Sequence, residues 1–234
     1  MEYVGTELDL FAHAKNWKKY WSSQISQYIR GDVLEVGAGI GANTPLLDPS
    51  CAKSWICLEP DPNLADRLRT SVQAAGSSTA SKCSVVTGTT RDMDPNFPFD
   101  CLLYIDVLEH IEQDKDELER ASTLLRPQGS IVVLSPAHNW LYTAFDKSIG
   151  HFRRYNAATL RRCKPAACIV DRIFYLDSCG LLASAANRLL LNQSMPTLDQ
   201  ILFWDRYLVR PSTGLDAMLR RSLGKSIVGV FRKV

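Results

Sequence analysis

Between residues 32 and 136, short apolar segments alternate with segments of helical periodicity, and this alternation constrains the fold most. Strands are predicted at 32–37, 54–60, 82–88, 99–107 and 130–136, and helices at 40–47, 62–76 and 114–129. Parallel neighbouring strands need crossover connections, which are usually helices, and unbroken apolar strands are typical of a sheet that is covered on both faces. The predicted fold class is therefore α/β, a doubly wound, mostly parallel seven-stranded sheet completed by strands at 168–177 and 225–233.

The remaining segments are additions to this sheet. The predicted organisation is an N-terminal helical cap at 1–30, a core at 31–136, an aromatic insertion at 137–165 with a helix at 156–165, and C-terminal strands at 166–234 with a helical insertion at 178–224. Aromatic residues at the two ends are expected to form a lid, a subunit interface or a cover for the sheet edge: Trp17, Tyr20, Trp21, Phe203, Trp204 and Tyr207.

Composition narrows the functional classes. The net charge of the 234-residue chain is +2, so no overall field attracts nucleic acid or a membrane surface, and neither is expected as a partner. No apolar run approaches the roughly 20 residues of a membrane span, and the first residues lack a signal-peptide pattern, so a cytoplasmic location is expected. The seven cysteines form no C-x-x-C pair, and no metal site is expected from their spacing. A monomer and a homodimer both stay open.

The stretch LEVGAGIGANT at 34–44 follows the first strand and places glycines at 37, 39 and 41. Glycines at the end of a strand let a ligand approach the backbone closely. Glu35 would repel a pyrophosphate and suits a cationic ligand, and Glu59, about 20 residues later, stands where an acid can bind both ribose hydroxyls. A ligand with a ribose, a positive charge and no phosphate is S-adenosylmethionine, which is the predicted cofactor.

These segments resemble class I S-adenosylmethionine-dependent methyltransferases of the bacterial small-molecule type. LEVGAGIGANT resembles the first motif of that family, ICLEPDP the second, and YIDVLEHIEQD the motif after strand four, while GTTRDM stands where an adenine-contacting segment is expected. The resemblance implies that the cofactor is bound by Glu35, Gly37, Ala38, Gly39, Gly41, Glu59, Pro60, Thr90, Arg91, Asp92, Asp106 and Val107. One departure is that Thr89 and Thr90 follow Gly88, where the family often has an acid.

The acceptor is expected beside the cofactor, because ligands of open α/β sheets bind outside the carboxyl ends of the strands. Strand five ends at the aromatic and basic stretch 138–155, which also contains GHFRRY, a segment similar to one of a bacterial subgroup. His151 and His138 are the candidate bases, and Tyr155 is a candidate hydrogen-bond donor to the acceptor. The acceptor-binding candidates are Trp140, Tyr142, Phe145, Arg153, Arg154, His110, Trp17 and Tyr20, although such aromatic residues commonly pack a loop and arginine pairs are commonly solvated.

The sequence predicts a transferase that moves a methyl group to oxygen, carbon or nitrogen of a small aromatic or anionic metabolite, in biosynthesis. Three alternatives stay open. The acceptor could be a phosphate-bearing lipid-linked or sugar precursor, the chain could be a non-catalytic cofactor-binding partner, or it could be a nicotinamide-dependent dehydrogenase. Motifs of the enzymes that methylate amino groups of nucleic acids, N-P-P-Y or D-P-P-Y, do not occur.

Overall fold

A computed structural model describes residues 7–76, 80–188 and 196–234 of the chain. Its strands are β1 (Asp32–Val36), β2 (Ser54–Glu59), β3 (Cys83–Thr87), β4 (Phe99–Ile105), β5 (Leu125–Pro136), β6 (Cys168–Leu176) and β7 (Ser226–Lys233). Its α-helices are α1 (Glu7–Phe11), α2 (Lys15–Ile25), α3 (Pro62–Ala74), α4 (Asp114–Thr123), α5 (Ala144–Ser148), α6 (Ala157–Arg162), α7 (Ser178–Ala186), α8 (Leu198–Phe203) and α9 (Val209–Met218), and a π-helix at Trp204–Leu208 joins α8 to α9.

The seven strands form one sheet in the order β3-β2-β1-β4-β5-β7-β6. Strand β7 runs antiparallel to both of its neighbours, and every other pairing is parallel. The predicted seven-stranded, mostly parallel α/β sheet is therefore confirmed. This order places the carboxyl ends of β1, β2 and β4 side by side, and these are the ends that precede the glycine-rich loop, Glu59 and Asp106.

Both faces of the sheet are covered, as the unbroken apolar strands predicted. Val33 and Leu103 belong to the core on the α2 side, whereas Leu34 and Leu102 belong to the core on the α4 side. Successive strand residues point to opposite faces, so a strand buried on both sides needs apolar residues at consecutive positions. Among the described residues, no helix combines the length and the apolar character that a bilayer crossing requires.

Two predicted helices are wrong in their bounds. No α-helix spans 40–47: the backbone from Gly37 to Asn43 forms turns, and the first helical turn is a 3₁₀ segment at Thr44–Leu47. The reason is local, since all three loop glycines have positive φ and Asp48 ends the segment in the left-handed region. The helix predicted at 114–129 ends at Thr123, because Leu125 already pairs with Phe99 of β4 and residues 126–129 continue β5.

The other predicted elements agree within a few residues. The helices predicted within 6–30 are α1 and α2, the helix expected at 156–165 is the shorter α6, and the insertion at 178–224 contains α7, α8, the π-helix and α9. Residues 1–6 of the predicted cap, 77–79 of the predicted surface loop and 189–195 of the insertion lie outside the described residues. Helix α2 contacts α9 and the π-helix, and α7 contacts the same two elements, so the two additions to the core lie on the same side of the molecule.

Candidate active site

The glycine-rich loop turns sharply at the end of β1. The backbone N–H groups of Gly37 and Ala38 both donate to the carbonyl of Leu58, at 2.7 and 3.1 Å. Gly37 has a φ of +64°, and a Cβ placed there would lie 2.8 Å from a methyl carbon of Val107. Only glycine meets both conditions without strain, so the sequence requirement at this position is set by backbone conformation and by the loop after β4.

Glu59 lies directly beside this loop. Its carboxylate accepts from the backbone N–H of Gly39 at 2.8 Å and from that of Asp61 at 3.0 Å. Burial raises the pKa of Glu59, and these two hydrogen bonds oppose the shift. The side chain of Asp61 caps α3 by accepting from the N–H of Asn63 at 2.7 Å. The structure thus brings Glu59 to the glycine loop, as the sequence predicted, while Asp61 supports the helix that follows.

Glu35 lies behind the loop and not in the cavity in front of it. Its Oε2 accepts from the hydroxyl of Thr44 at 2.8 Å and from the indole N–H of Trp55 at 3.0 Å. Burial raises the pKa of Glu35 to about 7, although these hydrogen bonds favour the charged form. Glu35 therefore organises the segment after the loop, and the structure gives it no direct route to a ligand amino group.

A cavity of about 840 Å³ opens in front of the glycine loop. Gly37, Ala38 and Gly39 form one wall, and Asp106 lies at the end of β4. The helix α2, the stretch 141–154, the helices α7 and α8, and the start of β7 form the other walls. Leu8 and Phe11 of α1 also line the cavity, and Leu8 lies within 4 Å of the position that a Gly39 Cβ would take. Helix α1 of the N-terminal cap thus lies beside the glycine loop at the cavity wall.

Two charged side chains line the part of the cavity beside the glycine loop, here named the loop half, and they interact electrostatically. Asp106 has a φ of +54° and its backbone N–H donates to the carbonyl of Leu134 at 2.8 Å, which fixes it at the end of β4. Its side chain is open to the cavity, and desolvation by the surrounding protein raises its pKa to about 6. Lys18 of α2 donates to the carbonyl of Ala42 at 3.2 Å, and burial lowers its pKa to about 8 against the attraction of Asp106 and Glu35. The sequence interpretation missed Lys18.

The part of the cavity beside His151, here named the acceptor half after the sequence prediction, contains a histidine held by a buried carboxylate. Nδ1 of His151 lies 2.9 Å from Oδ1 of Asp146, and Arg154 donates to both oxygens of that carboxylate at 2.7 and 2.9 Å. Burial would raise the pKa of Asp146, but the hydrogen bonds from His151 and Arg154 hold it well below its usual value. Burial by itself would lower the pKa of His151. The hydrogen bond to Asp146 and the nearby charge of Glu109 outweigh burial, so the net shift of this pKa is upward. Nδ1 of His151 is therefore engaged, and Nε2 is the ring nitrogen directed toward the cavity.

Glu109 and His110 lie beside this histidine because the turn after β4 brings them there. Glu109 is fully buried, and its Oε2 accepts from the hydroxyl of Ser135 at 2.9 Å. Burial raises the pKa of Glu109 to about 8 and lowers that of His110 to about 3. The ring of His110 meets the ring of His151 edge-on at 4.5 Å. The sequence interpretation included His110 but missed Glu109.

Four of the eight predicted acceptor residues line the cavity: His110, Phe145, Arg154 and Trp17. Of the three predicted catalytic residues, His151 lines it as well. His138 does not, because its ring stacks on Tyr175 and its Nε2 lies 3.0 Å from the carbonyl of Gly224. Tyr155 is buried with its hydroxyl donated to Asp114 at 2.8 Å. Both side chains are committed to partners outside the cavity, and nothing in the cavity geometry supports these two catalytic roles.

The other four predicted acceptor residues also lie outside the cavity walls, each for its own reason. Arg153 pairs with Asp114 at 2.7 Å, the hydroxyl of Tyr142 donates to the carbonyl of His151 at 2.6 Å, and that of Tyr20 donates to Asp216 at 2.7 Å. Trp140 is 52% exposed and lies against the ring of His138. Neither arginine is thus free to bind an anion, because Arg154 is engaged by Asp146.

The predicted adenine segment folds onto itself. Asp92 accepts from the backbone N–H and the hydroxyl of Thr89, at 2.8 and 2.9 Å, and the hydroxyl of Thr90 donates to Glu117 at 3.1 Å. Gly41 packs against α3, where a Cβ would lie 2.8 Å from Leu68. These residues, with Pro60, Arg91 and Val107, lie outside the cavity walls.

The start of β7 contributes a cation that the sequence interpretation also missed. The Nζ of Lys225 lies 4.1 Å from the ring centroid of Trp204, and both residues line the cavity. Burial lowers the pKa of Lys225, and the negative charge of Asp177 opposes that shift. Trp204 donates its indole N–H to Asp177 at 2.7 Å and packs on Trp17 at 5.8 Å, so the insertion and the N-terminal cap meet at this wall.

Comparison with known proteins agrees with this arrangement. Residues 34–131, from β1 to β5, match the family model of the methyltransferase domain. A search of curated proteins by sequence gives no match. Among solved structures, a proposed sarcosine dimethylglycine methyltransferase from Galdieria sulphuraria superposes with a TM-score of 0.62 at 16% identity, over 94% of this chain and 85% of that one.

Two further structures show the breadth of the fold. The N-methyltransferase NodS from Bradyrhizobium japonicum, in complex with S-adenosylhomocysteine, has a TM-score of 0.55 at 16% identity over 94% of this chain and 85% of that one. The [4+2]-cyclase SpnF has a TM-score of 0.60 at 13% identity over 92% of this chain and 81% of that one. At such identities the likeness establishes the fold alone. Residues 34–131 match the methyltransferase-domain family, within a chain that has the fold of S-adenosylmethionine-dependent methyltransferases.

Proposed function

We propose that this methyltransferase methylates a small molecule bound in the 840 Å³ cavity, at an oxygen, nitrogen or carbon atom. The observation that carries the proposal is that the glycine loop, Asp106 and His151 all open onto the same cavity. A cofactor with its methionine end at the loop would direct its methyl group toward the acceptor half. Holding both reactants in one cavity supplies the in-line alignment that methyl transfer requires, which can contribute about 7–11 kcal/mol.

The loop half of the cavity suits the charges of the methionine end of the cofactor. That end has an ammonium, a carboxylate and a sulfonium. In the proposal, Asp106 binds the ammonium, Lys18 binds the carboxylate, and Gly37 and Gly39 let the backbone approach. Lys18 and Asp106 stand on opposite elements and interact electrostatically, which supports a site for a zwitterion. Glu35 adds negative charge behind the loop and holds the loop in place through Thr44.

The nucleoside half is assigned to the ends of β2 and β3. Glu59 would bind the ribose hydroxyls, and its present bonds to the N–H groups of Gly39 and Asp61 already place it at the loop. Pro60, Thr90, Arg91 and Asp92 would border the adenine. The carboxylate of Asp92 is engaged by Thr89, so backbone groups of this segment are the proposed adenine contacts.

The acceptor is proposed to be a compact molecule with an apolar or aromatic part and an anionic group. Ligand pockets for small molecules have volumes of about 300–1,000 Å³, and here the cofactor takes part of the space. Phe145, Trp17 and Trp204 supply aromatic wall, and Lys225 supplies a cation. A phosphate-bearing acceptor would meet the same cation, so lipid-linked and sugar phosphates are included among the compounds to be tested.

His151 is the proposed base where the acceptor must lose a proton. The bond to Asp146 fixes its Nδ1 as the donor and leaves Nε2 for the acceptor, which is the arrangement of a positioned general base. Such a base contributes typically about 10²–10⁴-fold. The variant His151→Ala should therefore lower turnover by that order and leave the cofactor affinity nearly unchanged. Normal turnover in the variant would remove His151 from the mechanism as a base.

The site itself is tested by calorimetry with S-adenosylmethionine. Gly39→Arg should abolish binding, because the new side chain fills the loop from which the cofactor is bound. Gly76→Arg is the matched control, since Gly76, on a turn after α3, also has positive φ, but a Cβ added there would meet no heavy atom within 4 Å. Equal affinities of the two variants would contradict the assignment of the loop.

Turnover assays then separate the remaining functions. Binding of S-adenosylmethionine without methylation of any acceptor would favour a cofactor-binding partner protein or another reaction on the same fold. Binding of NAD in its place would contradict the whole proposal. A cytoplasmic location and a role in biosynthesis belong to the proposal as well.

A further inference from the structure

Three side chains in the acceptor half of the cavity converge on one point. Glu109, His110 and His151 each offer one ligand atom, and these atoms lie within 4.8 Å of one another. Two of the residues are consecutive in the turn after β4, and the third lies 41 residues further on, in the stretch after α5. Two imidazoles and one carboxylate are a ligand set known for divalent transition metals, and they leave other coordination positions of the metal open.

An independent observation points to a ligand between these groups. Oε1 of Glu109 is buried and has no hydrogen-bond partner among the described residues, whereas Oε2 is bonded to Ser135. Oε1 lies 3.9 Å from Nε2 of His151, which is too long for a hydrogen bond. A buried carboxylate oxygen without a partner costs free energy, so the structure needs an explanation for this atom.

A metal ion would lie between these two atoms. Zinc binds imidazole nitrogen and carboxylate oxygen at about 2.0–2.2 Å, so two such ligands of one tetrahedral ion lie roughly 3.4 Å apart. Oε1 of Glu109 and Nε2 of His151 are 3.9 Å apart, so a small rotation of either side chain would bring them to ligand distance. His110 would approach by a small side-chain rotation from within the 4.8 Å cluster.

We propose that Glu109, His110 and His151 bind a divalent transition-metal ion at the acceptor end of the cavity. His151 is prepared for this role, because Asp146 holds its Nδ1 and directs Nε2 toward the cluster, as carboxylates commonly do behind metal-binding histidines. Asp106 adds negative charge close to both Glu109 and His151.

The ion would bind an acceptor oxygen beside the methyl donor. With the ion bound, Nε2 of His151 is a metal ligand and not a base, so the ion replaces the role in proton removal proposed above for His151. A hydroxyl bound to a metal ion loses its proton more readily, so the proton passes to water, and the oxygen lone pair forms the bond to the methyl carbon. The carbon–sulfur bond breaks in the same step, and its electron pair stays on sulfur as a neutral thioether. This consequence rests on the proposed function and favours oxygen as the methylated atom, whereas the metal site itself does not depend on it.

The test measures metal binding by the full-length, chelator-treated protein in the absence of cofactor and acceptor. Titration with Co²⁺, followed by visible absorption and by competition with Zn²⁺, should give one equivalent. Glu109→Gln and His151→Gln should each lower the affinity by more than 100-fold, and Asp146→Asn, which acts behind the ligand, by about 10–100-fold. His13→Gln is the matched control, because His13 is exposed and lies outside the cluster, and it should bind normally.

Two results would overturn the metal site. One is wild-type protein that binds no Co²⁺ or Zn²⁺, and the other is binding that survives both Glu109→Gln and His151→Gln. X-ray absorption of the zinc-loaded wild type gives a readout that does not depend on variants folding, and sulfur ligands in place of imidazole would also refute the proposal. Calorimetry with S-adenosylmethionine on the same wild-type samples separates the two proposals. Protein that binds the metal but not S-adenosylmethionine would refute only the proposed function.

Discussion

The buried carboxylate of Asp146 gives the sharpest test of how the acceptor wall is held together. It accepts five hydrogen bonds: two from Thr143 at 2.8 and 3.1 Å, one from His151 at 2.9 Å, and two from Arg154 at 2.7 and 2.9 Å. In Asp146→Asn, one acceptor oxygen becomes an NH₂ donor. At least two of the groups that donate to the carboxylate in the wild type then point at the new NH₂ group, which is itself a donor. The guanidinium of Arg154, which is 11% exposed, also loses its counter-charge.

Breaking a buried ion pair on one side costs about 3–5 kcal/mol, because the remaining charge is left uncompensated. For a chain of this size, each kcal/mol lowers Tm by roughly 2–4 °C, so the variant should melt about 6–20 °C lower. Urea unfolding at pH 7, followed by circular dichroism, measures the loss directly. The difference in unfolding free energy between the wild type and the variant should shrink as the pH falls below about 4. Folding depresses the pKa of Asp146, so the stability that its charged carboxylate gives the wild type is lost on acidification.

The chain offers a matched control at Asp92. This carboxylate has the same capping arrangement, since it accepts from the N–H and the hydroxyl of Thr89, but it is exposed and holds no buried arginine. Asp92→Asn should therefore cause only a minor loss of stability. If the two variants lose stability equally, the contacts of Asp146 with His151 and Arg154 contribute nothing beyond a helix cap, and the reasoning about the acceptor wall is refuted.

Three further predictions concern the loop half of the cavity and its surroundings. Lys18→Met should weaken S-adenosylmethionine binding about tenfold or more in calorimetry, because a hydrogen bond to a charged group contributes roughly 1.5–3 kcal/mol; an unchanged Kd would remove Lys18 from the site. Gly37→Ala should destabilise the fold by about 2–4 kcal/mol, because the new Cβ adds left-handed backbone strain and a close contact with Val107. Gly76→Ala should show the strain alone, so equal losses of stability in urea unfolding would contradict the close contact. In metal-free protein, the unfolding free energy should fall less steeply between pH 6.5 and 4 in His110→Gln than in the wild type, and the difference in slope should correspond to at most one proton taken up on unfolding. The reason is that the depressed pKa of His110 contributes stability that is lost on acidification. Identical pH profiles would refute the buried neutral state.

The layered fold could be predicted because its signals are local and redundant. Consecutive apolar pairs such as Val33–Leu34 and Leu102–Leu103 require a strand buried on both faces, and turns and helix ends separate them regularly. The helix predicted at 40–47 failed for a local reason, the positive φ of the loop glycines, whereas the one predicted at 114–129 failed because a tertiary contact overrides local preference. Residues 126–129 contain proline and glycine and suggest a break, but the pairing of Leu125 with Phe99 extends β5 through them.

The candidate site was only partly predictable, for a different physical reason. Glycine spacing and Glu59 report the backbone of the cofactor loop, which the sequence determines locally. The direction of a side chain in an irregular stretch is set by its partners, so nothing in the sequence showed that His138 stacks on Tyr175 while His151 meets Asp146. Lys18 did have a signal, since it lies three residues before Trp21 on the buried face of α2. Glu109 could be recognised only with His151 in place.

The central claim is that the cofactor binds between the glycine loop and Asp106 with its methyl group toward His151, and a crystal structure with S-adenosylhomocysteine tests it most directly. We expect the homocysteine part against Gly37 and Gly39, its charged groups within hydrogen-bond distance of Asp106 and Lys18, and the ribose hydroxyls on Glu59. A nucleoside bound elsewhere, or bound with Glu59 and Asp106 both turned away from it, would contradict the claim.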